Sequence, residues 1–183
     1  MDLFRELKQK DGVKISNSVT VELKGSAGRG VFSNSTIRPN ELVMSIPRGE
    51  MITPGHIGKE LDAFYPNWGS MKLDCYGMFS LFIALELRKL DASQFSTYLK
   101  SMPPSFDLLL LNWPDDYDQF LMKNVLESKA RLKELFSNKY KQLNSTYNPE
   151  QNVSSIRERE FRYGFSAVKT RAMNWPYGMT GQI

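Results

Sequence analysis

The side chains able to do chemistry are few in this chain. There is one histidine, His56, and one cysteine, Cys75. A tetrahedral zinc site draws its ligands mainly from several Cys and His side chains, so one of each cannot build it. A Cys-His or Ser-His nucleophilic pair would have to use His56, which stands beside Gly55 and Gly58 in a segment that reads as a loop. Cys75 leads into Tyr76 and an apolar run, the setting of a small core residue rather than a nucleophile. A lone cysteine forms no intrachain disulfide and fits a reducing compartment. What remains is main-chain chemistry. Gly25-Ser26-Ala27-Gly28-Arg29-Gly30 is rich in glycine, which lets the chain turn sharply and lets a ligand reach the backbone. Its spacing is G-x-x-G-x-G, no helix opens behind it and no Gly-Lys-Ser/Thr follows, so it lacks the phosphate-loop pattern. Taken alone, it is a tight turn between two strands.

The elements that must position this turn are strands. Leu3 to Lys10 reads as a short helix ended near Gly12. Val19, Val21 and Leu23 then alternate with Thr20, Glu22 and Lys24, the period of a half-buried strand. Val31-Phe32 continues as a short strand, Ile37 to Glu41 carries turn residues, and Leu42 to Ile46 reads as a strand stopped by Pro47. After about residue 53 the period changes. Phe79, Phe82, Ile83, Leu87 and Leu90 share a helical face widened by Met78, Leu81 and Leu85, so this helix is expected to be buried on most sides. Ser93 to Met102 reads as a second helix. Asp115 to Leu143 reads as one long amphipathic helix or two consecutive ones, and offers either a core-packing face or a binding face. Asn144 to Val153 is a polar loop. Ser155 and Glu158 have capping-box spacing and open a helix carrying Phe161, Phe165, Val168 and Ala172. Strands first and helices after make the fold α+β.

Composition narrows the class further. The chain has 183 residues, 41% hydrophobic and 12% aromatic, enough for one sizeable core. The net charge of +4 is spread over interleaved acidic and basic residues, so no stripe for nucleic acid stands out. The first residues lack the pattern of a signal peptide, and no apolar run approaches the roughly 20 residues of a membrane span. The expected location is cytoplasmic, nuclear or both, with no membrane, metal or direct nucleic-acid partner.

Read in order, several segments resemble the start of a SET domain: Gly28-Arg29-Gly30-Val31-Phe32-Ser33, then Ile37 with Glu41-Leu42, then Ile46-Pro47 and Ile52-Thr53. Phe95 to Pro103 resembles the W-x-x-Y-L-x-x-L-P segment of the Rubisco large-subunit methyltransferase-like subgroup, with Phe95 for Trp and Met102 for Leu. Ala167 to Ala172 resembles the V-x-(S/T)-R-A segment that closes that subgroup's helical insertion. The resemblance implies a SET amino-terminal part over 1–74, a helical insertion over 75–165 and a returning SET segment over 166–183. It implies protein-lysine N-methyltransferase activity with S-adenosylmethionine as cofactor and a lysine of a histone or non-histone protein as substrate. It places Gly28, Arg29 and Gly30 against the adenosyl group and Arg171 near the cofactor's carboxylate, the alternative for Arg171 being a surface arginine of its helix.

Two family features are missing. The Glu that some members carry before G-x-G is Ala27 here. No Asn-His pair follows Arg171, and Tyr177 comes too early to match the family's catalytic tyrosine. The chain is therefore expected to be incomplete and inactive alone, with no catalytic residue of its own. The other reading is a non-catalytic interaction protein that keeps the helices and has lost the site.

Overall fold

The computed structural model describes residues 3–24, 28–64, 69, 72–145 and 155–172. In chain order its main elements are α1 (Leu3–Leu7), β1 (Lys14–Ile15), β2 (Val19–Lys24), β3 (Gly28–Ser33), β4 (Met44–Ser45), α2 (Pro54–Phe64), α3 (Cys75–Lys89), α4 (Ser96–Ser101), α5 (Lys123–Ser145) and α6 (Glu158–Arg171). The fold is α+β. It divides into two units: residues 1–53 with 97–101, and residues 54–96 with 102–183.

The first unit is built on two antiparallel strand pairs, β2 with β3 and β1 with β4. The alternation read in Val19 to Lys24 is β2, which pairs from Val19 opposite Ser33 to Lys24 opposite Gly28. Gly12 turns the chain into β1 at φ +71°, and a Cβ there would come 2.9 Å from Pro47 Cγ, so glycine is required twice over. The strand expected over Leu42 to Ile46 is shorter: only Met44 and Ser45 pair, and Leu42 is exposed. Its partner β1 is two residues long, and a ladder extends no further than its shorter strand.

The second unit is helical, and α3 is its centre. Every residue from Ser80 to Glu86 is buried, as the broad apolar face implied. Asp74 caps α3 by accepting from the Gly77 amide at 2.9 Å, and its other oxygen meets Lys139 of α5 at 2.5 Å. Burial opposes the Asp74 charge, but the Lys139 and Gly77 hydrogen bonds prevail and hold this carboxyl below its usual range. The closest helix contact is between α3 and α6. Gly164 lies where a Cβ would stand 2.2 Å from the Ser80 carbonyl oxygen. Phe136 and Tyr140 of α5 pack with Phe161 at 5.9 and 5.8 Å between ring centroids, and Arg162 lies 4.3 Å above the Phe136 ring.

Several expectations from sequence are corrected here. His56 is in α2, not a loop: Pro54 occupies the first helical position and Ile57 and Leu61, one turn apart, are fully buried, which outweighs the cost of Gly55 and Gly58. Cys75 is exposed as the first residue of α3, more than a turn before the continuous buried stretch that starts at Ser80. Leu90 lies past the end of α3 with 69% exposure and φ +49°. The second helix starts at Ser96, since Ser93 is used as a turn residue whose hydroxyl donates to Glu86 and accepts from the Phe95 amide. Residues 115–120 form a 3-10 segment, and the long helix begins only at Lys123. The last helix begins two residues later than Ser155 suggested, with Arg157 as its N-cap. Glu160, not Glu158, reaches back, accepting from the Arg157 amide at 2.8 Å.

Candidate functional site

Residues 28–30 are the first half of β3 rather than part of a turn. The reason is the ladder: Glu22 lies opposite Gly30, Leu23 opposite Arg29 and Lys24 opposite Gly28. The Asn34 amide donates to the Ser18 carbonyl at 3.0 Å. Close and wide pairs alternate along an antiparallel ladder, which makes 20/32, 22/30 and 24/28 the close pairs. The peptide groups of Arg29 and Val31 then face the outer edge of β3, and among the described residues no third strand covers that edge. Val31 is 56% exposed there. Residues 25–27, the rest of the expected turn, lie outside the described residues.

Gly30 serves a packing purpose as well. A Cβ on it would come 3.2 Å from the Phe32 ring, two residues along the same face of the strand. Glycine thus lets Phe32 lie back over the strand, so the accessible approach to this backbone is from the edge rather than from above.

Arg171 ends α6 in the second unit and is exposed. Its guanidinium lies 5.0 Å over the Phe106 ring and donates to Thr170 Oγ1 at 3.0 Å. The Phe106 ring lies beneath the cation, while exposure keeps it reachable. Gly28, Arg29 and Gly30 belong to the first unit and Arg171 to the second.

These features fit the groups that S-adenosylmethionine presents. An open strand edge offers amide donors and carbonyl acceptors to a purine, and a stacked, exposed guanidinium suits a carboxylate. The family's Asn-His pair and tyrosine would follow Arg171, and the segment after Ala172 lies outside the described residues. His56 sits edge-on to Phe95 at 6.5 Å between ring centroids, a packing role in α2. Among the described residues, no three His, Cys, Asp or Glu side chains gather into a metal-binding group, and no helix is long and apolar enough to cross a membrane.

One feature of the second unit escaped the sequence reading. A half-open surface cleft of about 400 Å³ is lined by Asp107, Asn112, Trp113, Pro114 and Tyr117. Its signal was present as an apolar run, Leu108 to Leu111, followed by aromatic residues interleaved with aspartates.

Against known proteins, the chain is 25% identical over 182 residues to SET domain-containing protein 4 of Artemia parthenogenetica. That likeness supports the SET-domain family. It covers 94% of this chain and 42% of the relative, so the chain spans less than half of the relative's length. Only about 11 residues of the chain fall outside it, so the segments from Gly28 to Arg171 lie within the similar region. No protein-family profile matches the chain, and no solved structure does.

Proposed function

We propose that the chain is the cofactor-side part of an S-adenosylmethionine-dependent protein-lysine N-methyltransferase, in the Rubisco large-subunit methyltransferase-like subgroup of SET proteins. The observation that carries this reading is the 25% likeness to a SET-domain protein over nearly the whole chain. The motif series from Gly28 to Ala172 lies in the same stretch.

When bound, the cofactor supplies a methyl group on a sulfonium, open to in-line attack by a neutral amine. The chain's own residues bind and orient. The edge of β3 at Arg29 and Val31 receives the adenosyl group, with Gly28 and Gly30 keeping side chains off the approach. Arg171 pairs with the carboxylate. Alignment of donor and amine supplies most of the rate enhancement in such a transfer, and exclusion of water sustains it. The deprotonating and water-excluding groups are assigned to sequence matching the relative's remaining length. The protein acts in the cytoplasm, the nucleus or both.

The test has two arms. Coding sequence continuing in frame after Ile183 should supply an Asn-His pair and a later tyrosine, and the longer product should transfer labelled methyl from S-adenosylmethionine to protein lysine. In that product Gly28→Val should abolish transfer. Continuation without those residues, together with a longer product that neither binds the cofactor in calorimetry nor transfers methyl, would overturn the proposal.

A further inference from the structure

We infer that Phe106 is a positioning residue for Arg171, and that through it the site distinguishes ligands carrying a carboxylate from those lacking one. This role rests on the proposed pairing of Arg171 with the cofactor's carboxylate, and it adds a residue that lies outside the motif series. Every group involved belongs to the second unit.

Phe106 is tied to the helix that carries Arg171. Its ring meets that of Tyr163 of α6 edge to face, with 5.0 Å between centroids, and the Tyr163 hydroxyl donates to the Pro103 carbonyl at 2.8 Å. The Phe106 carbonyl accepts from the Leu109 amide at 2.9 Å and from Asn112 Nδ2 at 2.9 Å. Asn112 Nδ2 also donates to Ser166 Oγ of α6, at 3.2 Å. Tyr163 and Ser166 stand three residues apart, on one face of the helix. One link through the ring and one through the main chain thus set Phe106 against α6. Phe106 is only 8% exposed, which leaves the ring little room to move.

Arg171 meets this ring. Its Cζ lies 5.0 Å over the ring centroid, within the range at which a π face attracts a cation. Its Nη1 donates to Thr170 Oγ1 at 3.0 Å, and that hydroxyl donates its own proton to the Ser166 carbonyl at 2.8 Å. The hydroxyl therefore meets Arg171 as an acceptor alone. Nε and Nη2 take no partner among the described residues, and together they form the side edge of the guanidinium that matches the two oxygens of a carboxylate. An exposed arginine without such contacts spreads over many rotamers, and fixing it on binding costs affinity. The ring reduces that cost before any ligand arrives. Leucine at position 106 would fill much of the same space and offer no π face.

Calorimetry of the full-length protein with S-adenosylhomocysteine and with its decarboxylated analogue tests this. The parent is expected to bind the first at least about tenfold more tightly. Phe106→Leu should reduce that ratio about fivefold and leave the affinity for the decarboxylated analogue unchanged. Phe106→Tyr, which keeps a ring, should keep the ratio. A merely structural role for Phe106 would weaken both ligands alike. Without any ligand, Phe106→Leu should move the Arg171 Nε–Hε resonance, because the ring current of Phe106 is removed. A ratio unchanged by Phe106→Leu, or an unmoved Nε–Hε resonance, would overturn the inference and leave the proposed function standing. A parent that binds neither ligand, or both equally, would overturn both, and the resonance would then show whether the Phe106–Arg171 contact itself exists.

Discussion

Gly164→Ala is the sharpest test of how the helical unit is held together. Gly164 lies inside α6, where alanine would ordinarily stabilise the helix by about 1 kcal/mol. Here the added methyl would meet the Ser80 carbonyl oxygen at 2.2 Å, with Ser80 C at 3.1 Å and Cα at 3.3 Å behind it. Those are backbone atoms in the middle of α3, so no rotamer change relieves the clash. Ordinary van der Waals contact begins near 3.4 Å, so α6 must retreat by about 1 Å. That retreat loosens Phe161 and Phe165, both fully buried on α6, and each loses part of its dispersion contact. Overpacking of this kind costs typically about 1–3 kcal/mol, and loss of neighbouring packing extends it. With that packing loss taken as about 1 kcal/mol, it offsets the helix-propensity gain, and the expected net effect is a loss of about 1–3 kcal/mol. For a protein of this size that is a fall in Tm of roughly 2–12 °C. Thermal unfolding followed by circular dichroism at 222 nm measures it. Gly49→Ala is the control, since nothing lies within 4 Å of the Cβ it would add. A Gly164→Ala protein as stable as the parent or more so would refute the close approach of α3 and α6.

Two further predictions concern charge and backbone strain. Hydrogen bonds from Arg157 and Arg88 lower the Glu160 carboxyl from 4.5 to about 2. A lowered carboxyl stabilises the fold above its unfolded value and loses that contribution as pH falls through its folded one. Glu160→Gln should therefore cost about 1–2 kcal/mol at pH 7, a full shift discounted because Arg157 is 60% exposed, and nothing near pH 2. A difference in Tm that stays constant from pH 7 to pH 2 would contradict it. Leu90→Gly should raise stability by about 1 kcal/mol, because Leu90 holds φ +49° and ψ −116° with 69% of its surface exposed. Urea unfolding measures this, and a destabilised variant would mean that Leu90 contributes packing.

The parts of the fold that were legible in sequence are those where one local rule acts alone. Val19 to Lys24 alternates without interruption and is β2; Phe79 to Leu87 is apolar nearly all round, and Ser80 to Glu86 within it is buried. The misreadings fall where tertiary contact overrides a local rule. Two glycines near His56 suggested a loop, but burial of Ile57 and Leu61 holds the helix. The glycines at 28 and 30 suggested a turn, while pairing with β2 draws them into a strand. Lys129 in the long amphipathic helix is 2% exposed because Asp115, Asp118 and the Pro114 carbonyl surround its ammonium. That pairing requires the preceding residues to form a 3-10 segment, which no periodicity announces. Motif order singles out the glycines and Arg171 as candidates, and the structure sets them on β3 and at the end of α6. The Asp107–Tyr117 cleft was not legible, because it depends on how the segment from Asp107 to Tyr117 folds back on itself.

The direction of Arg171 follows from α3 as much as from α6. Arg88 meets Glu160 at 2.7 Å, Ser80 meets Gly164, and Lys169 lies 4.2 Å over the Tyr76 ring. As the numbers on α6 rise those on α3 fall, so the two helices run antiparallel and touch along their length. A contact at each end prevents α6 from swinging, and the glycine between them fixes how close it comes. Rotating α6 would carry Gly164 off Ser80 and place a larger side chain against that carbonyl, so the rotation is fixed as well. Arg171 lies two residues beyond Lys169, too short a distance for the helix to change course before it. Its guanidinium then rests on Phe106, which supports it from outside both helices.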